Sequence, residues 1–218
     1  MSTNAAVAFY LSAKQQLGQT MFQSEIGWQA SRTLDRFTEQ DLLREAAWVI
    51  LCSGFRESVV RNWFPFISMC FCEWESASTI CLNSELCRPT ALAAFKNERK
   101  IDAIIGTALY IDSIGFESYR KEIVQDPIST LRRLPYIGGI TVYHLAKNLG
   151  ADVAKPDRHL VRLAASQGFC DVQTLCSSIA KETGDPLRVV DVVLWRFLAQ
   201  GEQVPVPIVE SGAEAETV

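Results

Sequence analysis

The residues best suited to chemistry lie in one run, LPYIGGITVYHLAKNLGADVAKPDRHLVRL, from Leu134 to Leu163. Gly138 and Gly139 follow Pro135, Tyr136 and Ile137 in a tight reversal between two helical patterns. Glycines permit the positive φ values that such a reversal needs, and they leave neighbouring N–H groups uncovered. At the start of the next helix those amides form an anion site suited to a nucleic-acid phosphate, with the Thr141 hydroxyl beside them. Asp157 comes seventeen residues after Ile140, between Lys155 and Arg158, at the head of another amphipathic helix. A carboxylate there can stabilise positive charge growing on a deoxyribose as its base departs, and can orient or activate water. An aspartate after Pro156 is equally an ordinary helix N-cap, and one residue can serve both ends.

Helices must position these groups, because the pattern is helical almost throughout and strand signals are scarce. The expected fold is all-α, without repeats. Ala5 to Leu17 reads as a first helix, followed by a looser segment around Gly27 and Trp28. Thr38 caps the apolar run LLREAAWVILC, with Asp41 placed to return the capping bond, and Gly54 interrupts it. Arg56 to Phe66 resumes a helix, and Asn97 to Ile111 sets Ile101, Ile104, Ile105 and Leu109 on one side. Asp126-Pro127 opens a helix into the turn, Gly150 closes the helix after it, and Asp171 and Asp185-Pro186 open two more. Beyond Gln203 the sequence turns to a flexible acidic tail, 204–218.

Composition narrows the possibilities. The 218 residues allow one large or two small domains. No apolar run reaches membrane-spanning length and no secretory pattern opens the chain, so the expectation is a cytoplasmic protein with no membrane partner. Cys70, Cys72, Cys81 and Cys87 lack the paired spacing of a zinc set and sit among apolar neighbours, which favours packed thiols. His144 and His159 have no matching ligand spacing and read as surface or hydrogen-bonding residues. A net charge of −4 argues against indiscriminate coating of nucleic acid. The segment from Pro127 to Cys170 nevertheless carries six basic residues, Arg132, Arg133, Lys147, Lys155, Arg158 and Arg162, against Asp152 and Asp157. A basic face on an acidic protein suits binding of DNA at one site.

The Leu134–Gly139 hairpin with the later Asp157 resembles the helix-hairpin-helix DNA glycosylase superfamily, whose members include endonuclease III and the adenine, oxoguanine and alkyladenine glycosylases. LLREAAWVILCSGFRESVV is similar to the family's early core helix and loop, and NERKIDAII to a later barrel helix, so the likeness spans roughly Thr38 to Ala165. The family commonly has glycine at the place of Tyr136. Bifunctional members carry a lysine where this chain has Ile140, so the resemblance implies a monofunctional enzyme without lysine-dependent strand cleavage. Only Cys170 and Cys176 lie downstream of Asp157, too few for the iron–sulfur cluster of many relatives, and no cofactor or metal is expected.

The resemblance implies two helical subdomains with the active site in the cleft between them. Residues 36–134 would form a helical barrel, and 1–35 with 135–203 the second subdomain. Asp157 would be catalytic. Pro135, Tyr136, Ile137, Gly138, Gly139, Thr141, Lys147, Lys155 and Arg158 would hold DNA. Phe55 would wedge into the base stack with Arg56 beside it, although Phe55 fits a core position equally. Trp28 and Trp195 would stack on the flipped base, or simply pack. The expected partner is double-stranded DNA bearing a damaged or modified base, met in repair or in defence against modified phage DNA and bound by a monomer. A non-catalytic helix-hairpin-helix module that only binds DNA is the alternative, and a helical protein-interaction domain is a third reading.

Overall fold

The computed structural model describes residues 3–200, so the acidic tail expected at 204–218 lies outside the described residues. Among the described residues all regular structure is helical, with no strand, and no helix is long and apolar enough to cross a membrane. The elements are α1 (Thr3–Leu17), α2 (Gln23–Ser31), α3 (Glu39–Cys52), α4 (Glu57–Cys70), a 3-10 turn (Cys72–Trp74), α5 (Ala77–Leu82), α6 (Ser84–Ala94) and α7 (Glu98–Ile114). After these come α8 (Phe116–Gln125), α9 (Pro127–Leu131), α10 (Thr141–Asn148), α11 (Arg158–Ser166), α12 (Val172–Thr183) and α13 (Leu187–Ala199).

Two hydrophobic cores organise them. In the first, α3 is central. Its start is fixed by the reciprocal bonds of Thr38 and Asp41, at 3.1 and 2.9 Å, and it buries Leu42, Leu43, Ala46, Val49, Ile50 and Leu51. The helix α7 packs across α3 and α5, and Trp74 stacks on Phe71 while its indole N–H donates to Ser68 Oγ at 2.9 Å. The second core joins α1 to α11, α12 and α13 through Tyr10, Leu17, Leu160, Leu175, Ile179 and Val193. Asp185 accepts from the Tyr10 hydroxyl at 2.6 Å and from Lys14, which ties α1 to the approach to α13.

Three expectations are revised. The segment around Gly27 and Trp28 is the regular helix α2. The first core runs on through Val142, Leu145, Leu149 and Ala151, because α10 packs on α3 and α9, so it extends past the boundary expected at residue 134. Gly138 and Gly139 do not supply the positive φ of the turn; Tyr136 does, at +66°. Gly150 is required for a different reason than helix termination alone. Its φ is +103°, and a Cβ there would stand 2.5 Å from the Thr33 carbonyl carbon, so the end of α10 and the 32–35 connection touch backbone to backbone.

Candidate functional site

A pocket of about 590 Å³ is lined by helices of both cores. From the first core come Trp48 and Cys52 of α3, Phe64 of α4, and His144 and Lys147 of α10. Trp28 of α2 and Asp191 and Trp195 of α13 face them. Phe55, Glu57 and Lys155 also line it. Three tryptophans stand in this lining among polar and charged groups, each with an arginine guanidinium over its ring: Arg32 on Trp28, Arg61 on Trp48 and Arg196 on Trp195.

Polar ties hold the walls. Lys147 is buried and paired with Asp191, whose second oxygen accepts the Lys155 main-chain N–H at 2.6 Å. Lys147 was expected to grip a DNA backbone; its ammonium is instead turned inward to Asp191. Arg196 donates to Glu25 at 2.6 and 2.9 Å and to Glu57 at 2.7 and 2.9 Å, while its guanidinium lies 4.4 Å from the Trp195 ring centre. Burial works against the Glu57 carboxylate, but its bonds to Arg196 and Arg61 hold its pKa below the usual value. Asn148 links Gln29, at 3.1 Å, to Glu45, at 2.8 Å. Burial raises the Glu45 pKa. His144 is kept neutral at physiological pH, because burial and then Lys155, Lys147 and Arg196 push its pKa well below 6.5.

Asp157 is the N-cap of α11. Its Oδ1 accepts from the His159 and Leu160 amides at 2.9 and 3.1 Å, and Oδ2 has no hydrogen-bond partner among the described residues. It is not itself among the residues lining the pocket, yet its charge acts on Lys155 and Asp191, which are. Arg158 is exposed beside it.

In the 135–140 turn the Gly138 N–H donates to Thr141 Oγ1 at 2.7 Å. The Thr141 hydroxyl therefore occupies one amide instead of adding a donor to a bound anion. The Gly139 and Ile140 amides make no hydrogen bond among the described residues. An Arg132 guanidinium nitrogen stands 3.9 Å from where a Gly139 Cβ would be, which puts a cation against those amides. Pro135 packs on α7 at Gly106, where a Cβ would meet its Cγ at 3.2 Å. Ile137 is buried, while Tyr136 and Ile140 are exposed.

The Phe55 side chain is 43% exposed at the pocket rim, with its ring 5.2 Å from Phe95, and Arg56 is exposed at the head of α4. Trp28, Trp195, Phe55, Lys147 and Lys155 thus share one pocket, whereas the turn and Asp157 lie outside its lining. Glu45, Glu57, Asp191 and Arg196 also line the pocket and belong to no site motif of the sequence. Asp191 and Arg196 interrupt the otherwise apolar helix LRVVDVVLWRFLA, which was the one available signal for them. Compared with models of protein families, with curated proteins and with solved structures, the chain matches none.

Proposed function

We propose that this chain is a monofunctional DNA N-glycosylase of helix-hairpin-helix type, acting as a cytoplasmic monomer on double-stranded DNA. It flips out a damaged or modified base and leaves an abasic site. The 127–148 hairpin grips a phosphate through the Gly139 and Ile140 amides with Arg132, and the base enters the pocket between Trp28, Trp48 and Trp195. Phe55 fills the space left in the stack. Asp157 acts on the sugar through Oδ2. Ile140 at the place of the family's lysine leaves the hairpin without an amine for strand cleavage.

One observation carries this reading: Asp157 caps α11 with a single oxygen, which fixes the residue and leaves the other oxygen for the oxocarbenium-like sugar. A panel of duplexes, each bearing one modified base, tests it by abasic-site formation. Asp157→Asn keeps a cap acceptor while removing the charge, so excision should fall by about a hundredfold or more with DNA affinity nearly unchanged. Equal excision by that variant would remove Asp157 as the catalyst. Binding without excision of any base would favour the non-catalytic module.

A further inference from the structure

We propose that the pocket selects an uncharged base offering an N–H group, which the Gln29 side-chain oxygen accepts, and rejects cationic alkylated bases. This rests on the glycosylase reading and names the substrate class of its pocket. Gln29, on α2, is 2% exposed, and its Oε1 is buried without a hydrogen-bond partner among the described residues. A chain of side chains across three helices sets which end of its amide is left over. Glu45 of α3 accepts from Asn148 Nδ2 of α10 at 2.8 Å, so Asn148 turns its Oδ1 towards Gln29. Gln29 Nε2 donates to that oxygen at 3.1 Å, which leaves Oε1 as the unmatched end. The Gln29 main-chain carbonyl accepts from Arg188 Nε at 2.9 Å and holds the residue in place. All three side chains of the chain belong to the pocket lining. An acceptor buried without a partner is destabilising, and a base N–H placed at Oε1 relieves that cost.

The charge of the lining turns away a cation. Its carboxylates are all engaged: Glu25 and Glu57 with Arg196, Glu45 with Arg44, and Asp191 with Lys147. Lys155 lines the pocket with no ion pair among the described residues, and the neutral His144 adds no charge. The gain of a cation on a tryptophan face is already taken up. Arg32 lies 5.5 Å from the Trp28 ring centre, Arg61 5.4 Å from that of Trp48 and Arg196 4.4 Å from that of Trp195. A positively charged base therefore meets a lysine without a counterion and rings that guanidinium groups already cover. An uncharged base keeps the stacking and the Gln29 bond without that repulsion.

The test reads binding alone, so no excision is needed. Full-length protein is titrated with free deoxynucleosides while its tryptophan emission is followed. Deoxyadenosine and thymidine carry base N–H groups, whereas N6,N6-dimethyldeoxyadenosine and 3-methylthymidine lack them and stay uncharged. The cation 1-methyldeoxyadenosine keeps its N–H groups. Each nucleoside with an N–H should bind about tenfold or more tighter than its methylated, uncharged form, and deoxyadenosine about tenfold or more tighter than the cation. Gln29→Met should bring the first ratio to within about twofold and leave the second standing, whereas a clash with the added methyl groups would survive in that variant. Asn148→Ala, which frees the Gln29 amide to turn, should lower the first ratio by about threefold or more. No quenching by either N–H nucleoside, equal binding of the methylated forms, tighter binding of the cation, or an unchanged first ratio in whichever variant folds would each overturn the proposal. The expected ratios without excision of any base from duplexes would overturn the glycosylase reading alone. Excision of a cationic alkylated base would overturn the proposal and leave that reading standing.

Discussion

Tyr136 holds a left-handed backbone, φ +66°, that side chains other than glycine seldom adopt. Its ring offsets the strain by lying over the Lys100 ammonium, 5.1 Å from Nζ to the ring centre. The two effects separate by substitution. Tyr136→Gly loses the ring but relieves the backbone, whereas Tyr136→Ala loses the ring and keeps the strain. The alanine variant should be less stable than the glycine variant by about 1–2 kcal/mol in urea melts. Equal midpoints would mean that the turn carries no strain. The two adjacent glycines drew the expected φ reversal onto themselves, although the glycine common at the place of Tyr136 in the resembling family pointed to the left-handed position. Asp157 as a cap was legible, since aspartate after proline at a helix head has few other local uses. The inward lysine was not: Lys147 looks like any surface lysine until Asp191, far along the chain, reaches it.

At the scale of elements, Lys100 joins three pieces of chain. It is 1% exposed on α7, and its Nζ donates to the carbonyls of Ile50, Leu51 and Ser53 at the C-terminal end of α3. The Phe55 ring lies 5.0 Å from the same nitrogen that Tyr136 meets at 5.1 Å. Burial draws the Lys100 pKa down to about 8, while three carbonyls at a helix C-terminus favour the ammonium. Lys100 therefore fixes where α3 stops and where the Phe55 loop begins. Lys100→Met keeps the stem and strands the carbonyls, so it should cost about 2 kcal/mol or more. A chemical denaturation midpoint equal to wild type would mean that water replaces the ammonium at these carbonyls. Helices with strong caps or long apolar faces, such as α3, α7 and α13, could be read from the sequence. The helix α2 could not, because Gly27 breaks its propensity and its order comes from packing against α13.

For the whole molecule, the apolar pattern marked core-facing helices but neither how they divide between the two cores nor how those cores meet. Their junction is polar: Lys147 to Asp191, Arg196 to Glu57 and Asn148 to Gln29. Such pairs have no period, and their partners stand far apart in sequence, so no local pattern announces them. They also redistribute the charge that suggested DNA binding. Of the six basic residues between Pro127 and Cys170, Lys147 is paired inward, Lys155 lines the pocket and Arg133 is held by Glu122. Arg132, Arg158 and Arg162 remain exposed without an ion pair among the described residues. With these three as the phosphate contacts, counterion release sets the slope of log K against log salt concentration at about −3 on duplex DNA. Replacing Arg132 by Gln should make the slope shallower by about one while weakening every sequence alike. A wild-type slope near zero would exclude these three arginines as phosphate contacts. A slope of −3 unchanged in the Arg132 variant would move the phosphate away from the 135–140 turn.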